Sequence, residues 1–301
     1  MPAAQGRELD IFRTPDDRFD GLPDYDFAPN YTEQEGLRMH HLDEGAGSPV
    51  LLLHGEPTWS FLYRKMIPPL VAAGHRLVAP DYFGFGRSDK PALESWYTYD
   101  RHVDSMKRLV EELDLREITV VVQDWGGPIG LRLATEMEDR FSRLVILNTG
   151  ILSGRSRMSD AWWTFHDFVD RVKPDLPVGL LVGRACFTPP PDEVIRGYEA
   201  PFPEPDSKWG AVAFPRMVPT SPESPGAAEQ LAVGEKLRAW QKPALVAFSD
   251  SDPIFPIGVG QRLVERIPGA GPLVIIEAAS HFLQEDKGEV IAGHIIDFLS
   301  R

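Results

Sequence analysis

Val121-Val122-Gln123-Asp124-Trp125-Gly126-Gly127 is the stretch on which the reading of this chain turns. An apolar run over 118–122 ends in Gln123 and Asp124, and a helical pattern begins near Pro128. A buried strand that turns sharply into a helix lifts the residue at the tip of the turn into the open at the edge of a sheet. Asp124 holds that tip. Gly126 and Gly127 have no side chains to block a substrate or the approach of the helix. A helix N-terminus also favours the ionised form of a carboxyl group. Taken alone, the same residue reads equally well as a helix cap.

The surrounding pattern supports a strand there. Runs at 50–53, 76–78, 118–122, 144–147, 244–248 and 273–276 are short and rich in Val, Ile and Leu. Continuous apolar runs of this length suit strands buried on both faces of a parallel sheet. Helical patterns lie between them at 101–113, 130–137, 259–266 and 289–299. In the first, Val103, Met106, Val110 and Leu113 form one apolar stripe. Strand–helix alternation implies an α/β fold with a mostly parallel, doubly wound sheet.

The alternation stops between 153 and 230. That segment is proline-rich and lacks a strand pattern, yet it carries Trp162, Trp163, Phe165, Phe168, Trp209 and Phe214. Such apolar content is too high for a disordered loop. The expectation is a helical cap over 153–230 inserted into a core formed by 1–152 and 231–301. Residues 1–30 read as a polar arm lying on that core.

Composition excludes several partner classes. The 301 residues carry 31 Lys+Arg against 45 Asp+Glu, a net charge of -14, which does not suit nucleic acid or an anionic membrane. Cys186 is the single cysteine, so no intrachain disulfide can form, which suits a reducing compartment. Residues 1–10 show no apolar core of signal-peptide length, and no apolar run approaches the roughly 20 residues of a membrane span. The expectation is a cytoplasmic protein, a monomer or weak homo-oligomer.

Other motifs bear on Asp124. His54-Gly55-Glu56-Pro57-Thr58-Trp59 follows the run at 50–53. A loop at that place supplies one of two backbone N–H groups for an oxyanion, assigned here to Glu56, with Trp125 supplying the other. Ala279-Ser280-His281-Phe282 follows the last apolar run, and among the histidines His281 alone stands after a late strand. Asp250 and Asp252 both follow the run at 244–248. The order nucleophile, acid, histidine is that of hydrolases built on this strand–turn–helix plan.

A carboxylate at the tip changes the chemistry. A hydroxyl needs a base before it attacks, whereas a carboxylate is already ionised at neutral pH. It can displace a leaving group from sp³ carbon and form an alkyl ester. A histidine is then free to activate water against that ester, with an acid orienting the ring.

Together these stretches resemble the haloalkane dehalogenases, members of the α/β-hydrolase fold. The resemblance rests on His54 to Trp59, on Asp81-Tyr82-Phe83-Gly84-Phe85-Gly86-Arg87-Ser88-Asp89-Lys90-Pro91, on Val122 to Gly127, on Ala200-Pro201-Phe202-Pro203 and on Ser280 to Asp286. It covers the chain from about Phe12 onward. Val122 departs from the glycine usual before the nucleophile. The resemblance implies cleavage of a carbon–halogen bond by water, with a small apolar halogenated substrate, a halide ion as product, and neither cofactor nor metal. It implies Asp124 as nucleophile and His281 as base, and selects Asp252 as the acid. It also implies that the indole of Trp125 holds the leaving halide with a second donor from the first cap helix. An ungapped match puts Phe165 at that second place, and Trp162 or Trp163 would serve if the helix is shifted. An epoxide hydrolase would use the same triad plus cap tyrosines, of which the cap holds only Tyr198. A non-catalytic binding protein on the same scaffold is the remaining reading.

Overall fold

The computed structural model describes residues 9–155 and 157–301. Of the stretch 1–10 read for a leader, Leu9 and Asp10 are among them, and the remainder lies outside the described residues. The strands are β1 (Ile11–Phe12), β2 (Asn30–Gln34), β3 (Leu37–Gly45), β4 (Pro49–Leu53), β5 (Arg76–Pro80), β6 (Lys90–Pro91), β7 (Ile118–Gln123), β8 (Phe141–Leu147), β9 (Ala244–Ser249) and β10 (Val274–Ile276). Eight of them form one sheet in the order β10-β9-β8-β7-β4-β5-β3-β2. Pairing is parallel from β10 to β5 and antiparallel for β5–β3 and β3–β2. This is the mostly parallel α/β sheet of the sequence reading.

Five of the expected strands, β4, β5, β7, β8 and β9, lie inside the sheet with side chains largely buried on both faces, and every residue of β7 is buried; the sixth, β10, is an edge strand with Ile275 exposed. The hairpin β2–β3 has no counterpart among the expected strands. Its residues are mostly polar, and pairing at a sheet edge, not an apolar run, makes it a strand. The turn places Glu35 and Gly36 at φ 55° and 79°, the left-handed pair that matches strand twist in a tight hairpin. His40 in β3 is fully buried, its Nδ1 2.7 Å from Asp81 Oδ2.

The helices are α1 (Ile67–Ala72), α2 (Tyr99–Glu112), α3 (Gly126–Glu136), α4 (Asp160–Val172), α5 (Val178–Ala185), α6 (Asp192–Glu199), α7 (Trp209–Arg216), α8 (Ala227–Leu237), α9 (Ile257–Arg266) and α10 (Leu283–Leu299). The α2 start is fixed by Thr98, whose hydroxyl accepts from the Arg101 N–H. Helix α10 begins earlier than the pattern at 289–299 suggests, and a non-helical Lys287 (φ −140°) breaks the periodicity there. Helices α4 to α7 lie between β8 and α8, where the cap is expected. The boundary drawn at 230 falls inside α8, and α8 packs against α3 of the core. Gln230 Oε1 also accepts from the Leu152 N–H, so α8 sits with the core. No helix among the described residues is long and apolar enough to cross a membrane.

Register places the site. β4 pairs with β7 so that Leu53 stands beside Val122. After β4 the chain lays β5 on one side, then crosses to put β7 on the other. The loops after β4 and β7 therefore part at this switch point, leaving a crevice beyond the strand ends where α/β sheets bind ligands.

Candidate active site

Asp124 occupies the sharp turn between β7 and α3. Its φ of 49° lies in the left-handed region, uncommon for a side chain other than glycine, asparagine or aspartate. Two backbone hydrogen bonds hold the turn: Asp124 N–H donates to Asn148 O at 3.0 Å, and Gly127 N–H donates to Asp124 O at 2.9 Å. The neighbours must be glycine. A Cβ on Gly126 would lie 2.1 Å from Leu53 O, and one on Gly127 1.9 Å from Thr149 Oγ1. Across the crevice, a Cβ on Gly55 would stand 2.4 Å from Asp124 Oδ1. That close approach lets the Glu56 N–H donate to Asp124 Oδ1 at 2.9 Å. The Trp125 N–H also favours the ionised form of the same carboxylate. Both groups assigned from sequence to an oxyanion thus converge on one side chain.

His281 stands in the loop between β10 and α10. Its Nδ1 is 3.0 Å from Asp252 Oδ2, and its Nε2 is 3.7 Å from Asp124 Oδ2. Asp252 follows β9, and its side chain is fully buried, its Oδ1 accepting from the Ile254 N–H at 2.7 Å. Asp250 is elsewhere: it braces a turn by accepting from the Ala278 N–H at 3.1 Å. Of the two aspartates open in the sequence, the structure brings Asp252 to the imidazole.

The charges are tuned by burial and neighbours. Burial raises the Asp124 carboxyl above its ordinary value, and His281 with the Glu56 and Trp125 N–H groups pulls the other way. Desolvation therefore outweighs the helix N-terminus invoked from sequence. For His281, desolvation lowers basicity but Asp252, then Asp124, outweigh it, so the ring titrates above 6.5.

These groups form the floor of a cavity of about 250 Å³ beneath the inserted helices. Its walls are largely apolar and include Leu152, Phe165, Leu181, Val218, Ile254 and Phe282. Trp125 and Trp162 also line it, and each is about 95% buried. Trp163 does not. It is 39% exposed, packing edge-on against Trp162 with centroids 4.7 Å apart. Consecutive helical positions point about 100° apart, so one tryptophan of the pair turns inward and the other outward. This corrects the expectation that kept Trp163 as a halide donor. Phe165 faces the cavity but has no donor to offer.

The overall chain traces the plan of known proteins. Residues 48–178 match a family model described as the alpha/beta hydrolase fold. A haloalkane dehalogenase of Mycobacterium marinum is 47% identical over 96% of this chain and its own full length. One from Psychrobacter cryohalolentis is 45% identical, covering 97% of this chain and 98% of that protein. This chain belongs to the haloalkane dehalogenases. Among solved structures, the tetrameric haloalkane dehalogenase DpaA from Paraglaciecola agarilytica superposes with a TM-score of 0.90, at 38% identity over 95% of this chain and 97% of that one.

Several site residues had no role assigned from the sequence. Gln123 Nε2 donates to His281 O at 3.1 Å. Asn148 Nδ2 donates to Ser249 Oγ at 2.7 Å and Ser280 O at 2.9 Å, tying the ends of β8 and β9 to the histidine loop. A polar residue directly after the apolar run 144–147 is the one sequence signal that could have pointed to Asn148. Arg184 of α5 also lines the cavity, and its position in a helical stretch gave no hint of this.

Proposed function

We propose that this protein hydrolyses haloalkanes to alcohol, halide and a proton, with Asp124 as nucleophile, His281 as base and Asp252 as its acid partner. The supporting observation is His281 standing between Asp252 (3.0 Å) and Asp124 (3.7 Å) at the floor of an apolar cavity. An Asp124 oxygen attacks the carbon bearing the halogen, the carbon–halogen bond breaks, and an alkyl ester forms. The indole N–H groups of Trp125 and Trp162 receive the departing halide, which needs no proton. His281 Nε2 lies beyond hydrogen-bond distance of Asp124 Oδ2, and a water seated against both groups attacks the ester carbonyl. The oxyanion then meets the Glu56 and Trp125 N–H groups. Asp252 holds the imidazolium until its proton leaves to solvent.

The apolar walls suit a small uncharged substrate. The epoxide reading calls for tyrosines in the cavity. Tyr198 is fully buried and donates to Glu285 Oε2 at 2.7 Å, outside the cavity lining. Purified protein incubated with 1,2-dibromoethane, 1-iodobutane and styrene oxide tests the assignment. Halide release from the first two supports it; diol from styrene oxide without halide release from either haloalkane overturns it.

A further inference from the structure

The Glu56 side chain is unexplained by the roles above, which use only its backbone. It lines the cavity beside Asp124 and Trp125, is 6% exposed, and its Oε1 is buried with no hydrogen-bond partner among the described residues. No Lys, Arg or His among the described residues lies within ion-pair distance of it. The other ionisable groups facing this cavity are Asp124 from the β7–α3 turn, His281 from the loop before α10, and Arg184 from α5. An ionised Glu56 would be a desolvated anion with no paired cation beside a second carboxylate. Such a group takes up a proton instead. Burial first, and the Asp124 charge second, push its carboxyl well above the ordinary range. A neutral carboxyl group carries an O–H, and among the described residues Glu56 Oε1 has no hydrogen-bond partner.

We propose that Glu56 stands in the cavity as a neutral carboxylic acid and donates its O–H to the departing halide, alongside Trp125. The inference rests on the dehalogenase reading of the cavity and adds a donor to it. When Asp124 forms its bond to carbon, the electron pair of the carbon–halogen bond leaves with the halide. Glu56 keeps its proton throughout and hydrogen-bonds the anion. The proton released overall comes from water by way of His281.

The pH dependence has a definite sign. The donor is present below the Glu56 titration and lost above it, so halide affinity falls as pH rises. In turnover the His281 base limb runs the opposite way; in bromide binding, loss of the His281 proton also weakens binding as pH rises, so the Glu56 contribution is read from the difference between wild type and E56Q.

Bromide binding, followed by quenching of tryptophan fluorescence from neutral to alkaline pH, tests this with wild type, E56Q and E56L. Infrared difference spectra of the same samples seek the C=O stretch of a protonated carboxyl group. Wild-type affinity should fall with rising pH. E56Q, which keeps an N–H donor and cannot ionise, should show a smaller fall, the part that His281 contributes. E56L should bind bromide roughly tenfold or more weakly at neutral pH. The protonated carboxyl band should be present in wild type and absent from E56Q. Circular dichroism confirms folding, and E56Q, of nearly the same shape, keeps the test open if E56L fails to fold. A wild-type fall no steeper than that of E56Q, or a carboxyl band absent at neutral pH, overturns the proposal while leaving the dehalogenase reading in place. Failure of that reading would look different: no bromide binding by any variant and no alkyl group on Asp124.

Discussion

Replacing Asp252 by Asn should split the reaction into a fast half and a stalled half. The carboxylate is fully buried, with Oδ2 3.0 Å from His281 Nδ1 and Oδ1 holding the Ile254 N–H at 2.7 Å. Asparagine preserves the volume and can keep the Ile254 contact, so the fold should survive. What disappears is the charge opposite the imidazolium that forms as water attacks the ester. A hydrogen bond to a charged group is worth about 1.5–3 kcal/mol, which is roughly 10- to 150-fold in rate. That loss applies with the amide oxygen toward Nδ1; if the oxygen instead keeps the Ile254 N–H, the NH₂ faces Nδ1, the ring proton sits on Nε2 and the base is lost, a penalty of about 10⁴ in a serine triad. Attack by Asp124 on carbon uses no base and should continue. Rapid mixing of D252N with 1-iodobutane should therefore release about one iodide per active site, then slow by at least tenfold against wild type. The acid limb of the remaining activity should also move down. Asp252 is what lifts His281 above 6.5 against desolvation, and wild-type activity is lost as pH falls through that raised value. Equal slowing of burst and steady state, or an undiminished steady state, would refute the assigned role.

Trp162→Phe should weaken bromide binding roughly tenfold or more, while Trp163→Phe, altering an exposed ring, should change it less than twofold; fluorescence titration distinguishes them. Gly55→Ala should abolish most activity, because its Cβ would stand 2.4 Å from Asp124 Oδ1 and must displace the nucleophile or its N–H donor; activity within about twofold of wild type would contradict this. Glu285 pairs with Arg64 at 2.6 Å and 2.9 Å and accepts from Tyr198 of the inserted helices. Glu285→Ala leaves that guanidinium buried and unpaired, so denaturant unfolding should report a loss of about 3–5 kcal/mol; a loss under about 1 kcal/mol would show that the site relaxes to readmit water.

The central sheet was legible because β4, β7, β8 and β9 are buried on both faces, and such strands must be written in Val, Ile and Leu. The β2–β3 hairpin was not, because an edge strand can be polar, and its buried His40 is matched by Asp81, 41 residues away. Asp124 and His281 stood out because a turn between strand and helix leaves local marks. The choice between Asp250 and Asp252 could not be made from spacing, since both follow the same strand; one reaches the imidazole and the other a turn. Trp162 and Trp163 are neighbours in sequence, and only the rotation of α4 separates inward from outward. Glu56 is the least legible. Its burial against Asp124 is created by the contact between two loops, and no local pattern records it.

The account stands or falls on a covalent bond to Asp124. His281→Ala protein mixed with an alkyl bromide, digested and weighed by mass spectrometry, should yield the Asp124 peptide heavier by one alkyl group, with fragmentation placing it on that side chain. Bromide release by this variant with an unmodified Asp124 peptide, at times when the ester should have accumulated, would contradict it.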